Sequence, residues 1–248
     1  MVHAWAAMAP GQPLERFEYD AGPLGPEEVE VAVETCGICH SDLSVVNNEW
    51  GISSFPAVPG HEVIGRVAAL GAQAKGVTVG QRVGIGWSAE SCMHCPQCLA
   101  GDGNLCAENV ATIVRHYGGF ADRVRAQWQW VIQLPETLDA RNAGPLLCGG
   151  TTVFAPFHDY DISPTQHGGV VGIGGLGHLA LKFAKAWGCE VTAFTSTDSK
   201  ADEARAFGAH HVVNSRDREE LRSLARTLDL LLVTVNVPLD WPSMVGML

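Results

Sequence analysis

The stretch that most constrains this chain is "GGVVGIGGLGHLALKFAKAWGCEVTAFTS", residues 168–196. A short apolar strand ends in glycines. Leu176, Leu179, Ala180, Phe183, Ala184 and Trp187 then recur at helical spacing, and Gly188 stops the helix. "CEVTAFTS" follows as a second strand. The alternation continues: "DSKADEARAFG" reads as a helix with Asp198 as N-cap and Gly208 as its stop, then "AHHVVNS" as a strand, "RDREELRSLART" as a helix and "LDLLLVTVN" as a strand. Strands joined in this way through helices form a parallel sheet, so residues 151–248 are expected to be a doubly wound α/β domain with four strands.

The glycines themselves carry chemistry. Gly172, Gly174 and Gly177 stand in a G-x-G-x-x-G frame, with Gly175 and Leu176 between them. Placed between a strand and a helix, such glycines let a dinucleotide pyrophosphate approach the backbone at the helix N-terminus, as in the Rossmann fold; a generic glycine turn is the bland alternative. A binder of NAD normally carries Asp or Glu at the end of the second strand. Here that position falls on Ser196. Ser196 and Thr197 offer hydrogen bonds and Lys200 a positive charge, which predicts NADP over NAD. Asp198 is close by, and reaching the ribose would reverse that preference. Lys200 also reads simply as a solvated helix residue.

Residues 1–150 have another texture. Short alternating strands, "EEVEVAVET", "EVIGRVAAL", "QRVGIGW" and "GGFADRVRA", are punctuated by Gly and Pro. Within this half, "SCMHCPQCLAGDGNLC" sets Cys92, Cys95, Cys98 and Cys106 at a spacing that lets one loop wrap one ion. Four thiolates close a tetrahedral shell, which makes a structural zinc site. An iron–sulfur cluster accepts cysteines at similar spacing. A zinc module for nucleic acid would need basic residues nearby, and they are missing.

A second group is scattered: Cys39 in "CGICHSDL", His61 and Glu62 in "PGHE", and Cys148 in "PLLCGG". Two cysteines and one histidine are the ligands of a catalytic zinc that keeps an open position. Cys148 also reads as a buried thiol and His61 as a core histidine.

The chain has 248 residues and a formal net charge of −11, with no run of Lys or Arg. An acidic surface repels phosphate backbones and argues against nucleic acid as a partner. No segment has the pattern of a signal peptide or of a membrane span, so a cytoplasmic protein is expected, whose eight cysteines are metal ligands or buried thiols.

Taken together, "CGICHSDL", "PGHEVIG", the four-cysteine loop, "PLLCGGTTV" and "GIGGLGHLALKFAKAWG" resemble the zinc-dependent medium-chain alcohol dehydrogenases, nearest to the cinnamyl-alcohol-dehydrogenase-like branch of NADP-dependent aldehyde reductases. The resemblance implies an α+β catalytic domain, a GroES-like β-barrel over residues 1–150, followed by the Rossmann-like domain. It implies that Cys39, His61 and Cys148 bind a catalytic zinc, that Glu62 stands behind it or exchanges with a ligand, and that Asp42 orients His61. By the same likeness His40 faces the cofactor pyrophosphate, Ser41 passes the proton, Thr152 touches the nicotinamide, and Trp50 and Trp87 wall the substrate pocket. The activity implied is hydride transfer between NADP(H) and primary alcohols or aldehydes, of apolar or aromatic kind given the tryptophans. A polyol dehydrogenase and an NAD-preferring enzyme are its close variants.

Two departures stand out. The histidine that ends the family's proton relay is replaced by Ser44. The chain also ends after its fourth cofactor-domain strand, so the resemblance predicts that it lacks two strands, part of the nicotinamide pocket and the segment that makes the family's homodimer. A catalytically silent zinc- or cofactor-binding chain is the rival reading.

Overall fold

A computed structural model describes every residue from 1 to 248 apart from Asp198. The capping and ribose roles considered for Asp198 lie outside the described residues. The chain divides into two units, Met1–Cys148 and Gly149–Leu248, two residues before the boundary expected from the sequence.

The first unit opens with a hairpin, β1 (Val2–Ala6) and β2 (Glu15–Tyr19). Next come β3 (Glu28–Cys36), the short helix α1 (His40–Val46), β4 (Val63–Leu70), β5 (Arg82–Ile85) and β6 (Ser88–Glu90). Helix α2 (Pro96–Ala100), β7 (Val110–Ala111), β8 (Arg123–Gln127), β9 (Val131–Gln133) and α3 (Ala140–Ala143) complete it. Five strands form one antiparallel sheet in the order β8-β3-β4-β5-β9. Alternation selects its faces. Val29, Val31, Val67, Val83 and Ile85 are buried between the strands. Glu30, on the opposite face of β3, pairs with Arg123 and Arg125 across β8.

The second unit contains α4 (Gly149–Asp159), β10 (His167–Val171), α5 (Gly175–Trp187), β11 (Glu190–Thr195), α6 (Ala201–Phe207), β12 (His211–Asn214), α7 (Arg218–Ser223), β13 (Leu230–Val233) and α8 (Trp241–Val245). Its sheet is parallel, in the order β12-β11-β10-β13. Both faces are covered, and the strands show it residue by residue. Val170, Val191 and Ala193 pack with α4, α5 and α6. Their neighbours Val171, Phe194 and Val213 pack with Leu221, Met244 and Met247 on the other side. The alternating texture after residue 168 is therefore a doubly wound sheet.

Two helices here were not legible in the sequence. Helix α4 starts on two glycines, carries Pro156 inside it and contains three β-branched residues, all poor helix formers. Packing sustains it: Val153 and Phe157, one turn apart, are buried, and Phe154 sets its ring edge-on to Phe183 and Trp187. Helix α8 is held by the buried Met244. The buried stripe of α5 is Gly177, Ala180, Leu181 and Ala184. Leu179, Phe183 and Trp187 are only half-buried, because they pack against the core that α4 helps to build. Among the described residues no helix is long and apolar enough to cross a membrane.

Candidate active site

The site is built where β3 runs into α1. Cys39 stands at the N-cap of that helix and Asp42 three residues on. The Asp42 carboxylate accepts the Cys39 amide at 2.9 Å, closing the helix start in the manner of a capping box. Its other oxygen accepts the Gly60 amide at 2.8 Å and lies 2.9 Å from His61 Nδ1. One buried carboxylate thus joins the chain at residue 39 to the chain at residues 60 and 61. The spacing C-H-S-D carried that helix start in plain view as a capping signature, whereas the sequence alone suggested for Asp42 only the contact with His61.

His61 is fully buried, and its Nε2 lies 3.2 Å from Cys148 Sγ. Cys39 Sγ is 3.9 Å from the same sulfur. Ligand atoms of Cys39, His61, Cys148 and Glu62 all lie within 4.8 Å of one another. The structure thus brings together the expected ligands, and Glu62 with them. Glu62 Oε2 is buried with no hydrogen-bond partner. Gly37, absent from the sequence-based list, makes room for it: a Cβ there would come within 2.0 Å of that oxygen.

The electrostatics ask for a cation. Hydrogen bonds from Cys148 and His61 hold the Cys39 thiol down at about 3, and the amide and hydroxyl of Ser41 add to them. The Cys39 thiolate in turn pushes Cys148 up. Burial lowers His61, but Asp42 and Cys39 outweigh it and hold the imidazole at about 9. Burial, then the Cys39 thiolate, pushes Glu62 up to about 7. Two sulfurs, an imidazole and an orphaned carboxylate oxygen, with His61 and Glu62 buried and the two thiols partly so, are a donor set that suits zinc.

The remaining α1 residues differ in exposure. His40 is exposed and Ser41 half-buried. Ser44 is buried and donates to Glu49 Oε2 at 2.7 Å, a partner the sequence did not suggest. Trp87 sets its ring edge against His61, with centroids 5.2 Å apart, and Trp50 lies 6.1 Å beyond it, half exposed. The two tryptophans thus stand side by side next to His61.

The four-cysteine loop forms its own cage. The sulfurs of Cys92, Cys95, Cys98 and Cys106 lie within 4.8 Å of one another, with Cys92 and Cys98 at 4.0 Å. Zinc–sulfur bonds of ~2.3 Å in a tetrahedron put the sulfurs ~3.8 Å apart, so the cage has the size of one ion. The Cys95 and Cys98 amides point at the sulfurs of Cys92 and Cys95, and the Glu108 amide at that of Cys106.

In the second unit the glycines divide by role. Gly172 has φ +88°, and a Cβ on it would come within 2.1 Å of Val235 Cγ1; on Gly177 it would come within 1.8 Å of the Gly172 carbonyl oxygen. These two are glycine for the protein's own packing. Gly174 and Gly175 face open space, with nothing within 4 Å of a Cβ. Gly174 is the N-cap of α5 and offers no side chain to its first amides. A turn with bare amides and open glycines fits a phosphate group. Leu176 is partly exposed beside them. Lys200 Nζ donates to the Ile173 carbonyl at 3.1 Å, which brings its charge to the same turn. Ser196 and Thr197 are exposed at the end of β11, and Thr152 is exposed on α4.

Residues 25–136 match the model of the alcohol dehydrogenase GroES-like domain, and residues 175–248 match that of the zinc-binding dehydrogenases. An aldehyde reductase, AdhA, of a Synechocystis strain is 53% identical over 241 residues, which are 97% of this chain and 72% of the relative. A cinnamyl alcohol dehydrogenase of Sorghum bicolor superposes with a TM-score of 0.93 at 38% identity, over all of this chain and 73% of that one. A cinnamyl alcohol dehydrogenase of Helicobacter pylori, solved as a complex with NADP(H), gives 0.90 at 27% identity, over all of this chain and 72% of its own. The chain belongs to the zinc-binding medium-chain alcohol dehydrogenases, in their cinnamyl-alcohol-dehydrogenase-like branch.

Proposed function

We propose that this oxidoreductase interconverts aldehydes and primary alcohols with NADP(H) at the centre formed by Cys39, His61 and Cys148. The observation that carries the reading is the convergence of these ligands with Glu62, whose Oε2 is buried without a hydrogen-bond partner. A zinc ion held there supplies Lewis acidity toward a carbonyl or hydroxyl oxygen, and the nicotinamide gives or takes the hydride.

The chain's own residues do the rest. Asp42 fixes the His61 ring and its tautomer. Glu62, kept close by the space at Gly37, offers a spare oxygen next to the ligands. Ser41, whose hydroxyl helps to hold the Cys39 thiol down, is placed to hand a proton to the reacting oxygen. Ser44 cannot hold a proton near neutral pH, and its partner Glu49, held below the usual carboxylate range by hydrogen bonds from Asn47 and Ser44, stays ionised beside it. Trp87 and Trp50 present an aromatic wall, which suits apolar and aromatic substrates better than polyols. Gly174 and Gly175 admit the pyrophosphate. Ser196, Thr197 and Lys200 accept the 2′-phosphate where a carboxylate would repel it. In this reading the working partners are small molecules, met in the cytoplasm.

The test is NADPH oxidation by the zinc-loaded protein with cinnamaldehyde, run beside NADH and a chelator-treated sample. Turnover with NADPH that the chelator removes is expected. Bound zinc and bound NADPH without turnover would overturn the assignment.

A further inference from the structure

The first unit holds a second cavity, of about 580 Å³, that the proposed reaction does not use. Pockets of this size enclose small organic molecules. One wall is aromatic: the rings of Tyr19 and Tyr117 lie 4.4 Å apart, with Phe55 beside them. Burial, then the neighbouring Tyr117, pushes the Tyr19 hydroxyl up to about 12, so it stays a neutral donor.

The other wall carries charges of both signs, and most are already engaged. Arg125 donates to the carbonyls of Ala21, Gly22 and Pro23 and to Glu30. Arg123 donates to Glu30 as well. Glu28 accepts the Gly25 amide and faces Arg125, and Asp20 accepts the Gly22 amide. Two lining charges remain. Arg115 and Glu90 make no side-chain hydrogen bond or ion pair with any described residue, and they are not paired with each other. Arg115 also has φ +58°, a left-handed conformation that costs an arginine of order 1 kcal/mol and recurs where chains clamp ligands.

An unspent cation and an unspent anion sharing one aromatic-walled cavity match a ligand with both charges on an apolar body. We propose that this cavity binds a small aromatic zwitterion of the α-amino-acid class, its carboxylate on Arg115, its ammonium on Glu90 and its ring against Tyr19 and Tyr117. The site is separate from the metal centre, and the proposal does not depend on the proposed activity.

Calorimetry on the zinc-loaded full chain tests it, with L-phenylalanine as the probe. Phenethylamine and 3-phenylpropionate, which each lack one charge, are the controls. Saturable binding of phenylalanine tighter than about 1 mM is expected, with each control weaker by about tenfold or more. Arg115→Asn, which tolerates the same backbone conformation, and Glu90→Gln should each weaken phenylalanine by a similar factor, with the melting temperature unchanged. Should Arg115→Asn fail to fold, Glu90→Gln decides. No saturation by about 10 mM, equal binding of a one-charge control, or unchanged affinity in the folded variants would each overturn the proposal.

Discussion

His61 Nδ1 lies 2.9 Å from Asp42 Oδ1, and neither side chain reaches solvent to any extent. This contact does two jobs. It leaves Nε2 of His61 turned toward Cys148 Sγ, and it occupies an oxygen that also receives the Gly60 amide. Asp42 therefore sets both the ring and the loop that carries it.

Asp42→Asn tests this directly. It keeps the size of the side chain but loses the charge and one acceptor. Affinity for zinc at the Cys39–His61–Cys148 site should fall by about 10- to 100-fold, as seen when orienting partners of metal ligands are changed. Competition against a chromophoric chelator measures it; an unchanged affinity would mean that the ring needs no fixing.

Cys95→Ser addresses the other ion. Cys95 is both a member of the sulfur cage and the N-cap of α2. Structural zinc contributes ~10 kcal/mol or more to small sites, and 1 kcal/mol shifts the melting temperature of a chain this long by about 2–4 °C. The variant should lose one zinc by atomic absorption and melt at least about 10 °C lower. Loss of the ion without loss of stability would show that the loop is not a staple.

Gly175→Ala and Gly177→Ala should part company. At Gly177 a Cβ would sit 1.8 Å from a backbone oxygen, so the fold must distort, at about 1–3 kcal/mol or more. At Gly175 the space is open, and alanine in the first turn of α5 should leave stability equal or up to about 1 kcal/mol higher. NADPH binding, followed by nucleotide fluorescence, should nonetheless weaken by about tenfold or more in Gly175→Ala. Tight binding with a methyl at Gly175 would remove the phosphate from that turn.

Ser196→Asp places a carboxylate where the ribose phosphate is expected. The ratio of kcat/KM for NADPH over NADH should drop by about tenfold or more, equivalent to about 1.4 kcal/mol. An unchanged ratio would separate Ser196 from cofactor choice.

Much of this was legible in the residues themselves. The sheet of the second unit showed through because its strands alternate with helices of clear period, and the four-cysteine loop because cysteines at that spacing have few other uses, whereas Cys39, His61 and Cys148 taken singly read equally well as thiols or a core histidine and stood out through the family resemblance. Helix α4 was hidden because Thr151, Thr152 and Pro156 argue against a helix, and only the burial of Val153 and Phe157 overrides them. Leu181 was missed in favour of Leu176 because periodicity gives a stripe but not its centre. Gly37 and Glu49 gave no signal at all, since their roles are contacts with residues the sequence does not place beside them: the Glu62 carboxylate for one, the Ser44 hydroxyl for the other.

The two cages also differ in how far apart along the chain their parts lie. Cys39 and Cys148 are 109 residues apart, whereas the four-sulfur loop runs only from Cys92 to Cys106. Closing the longer span costs the unfolded chain about 2 kcal/mol more, by three doublings of loop length. During synthesis the difference becomes one of timing. The short loop has all its sulfurs once residue 106 has left the ribosome, while the other centre waits for residue 148, the last of the first unit. In a nascent chain the four-sulfur set is therefore complete 42 residues before the Cys39–His61–Cys148 set, from Cys106 to Cys148.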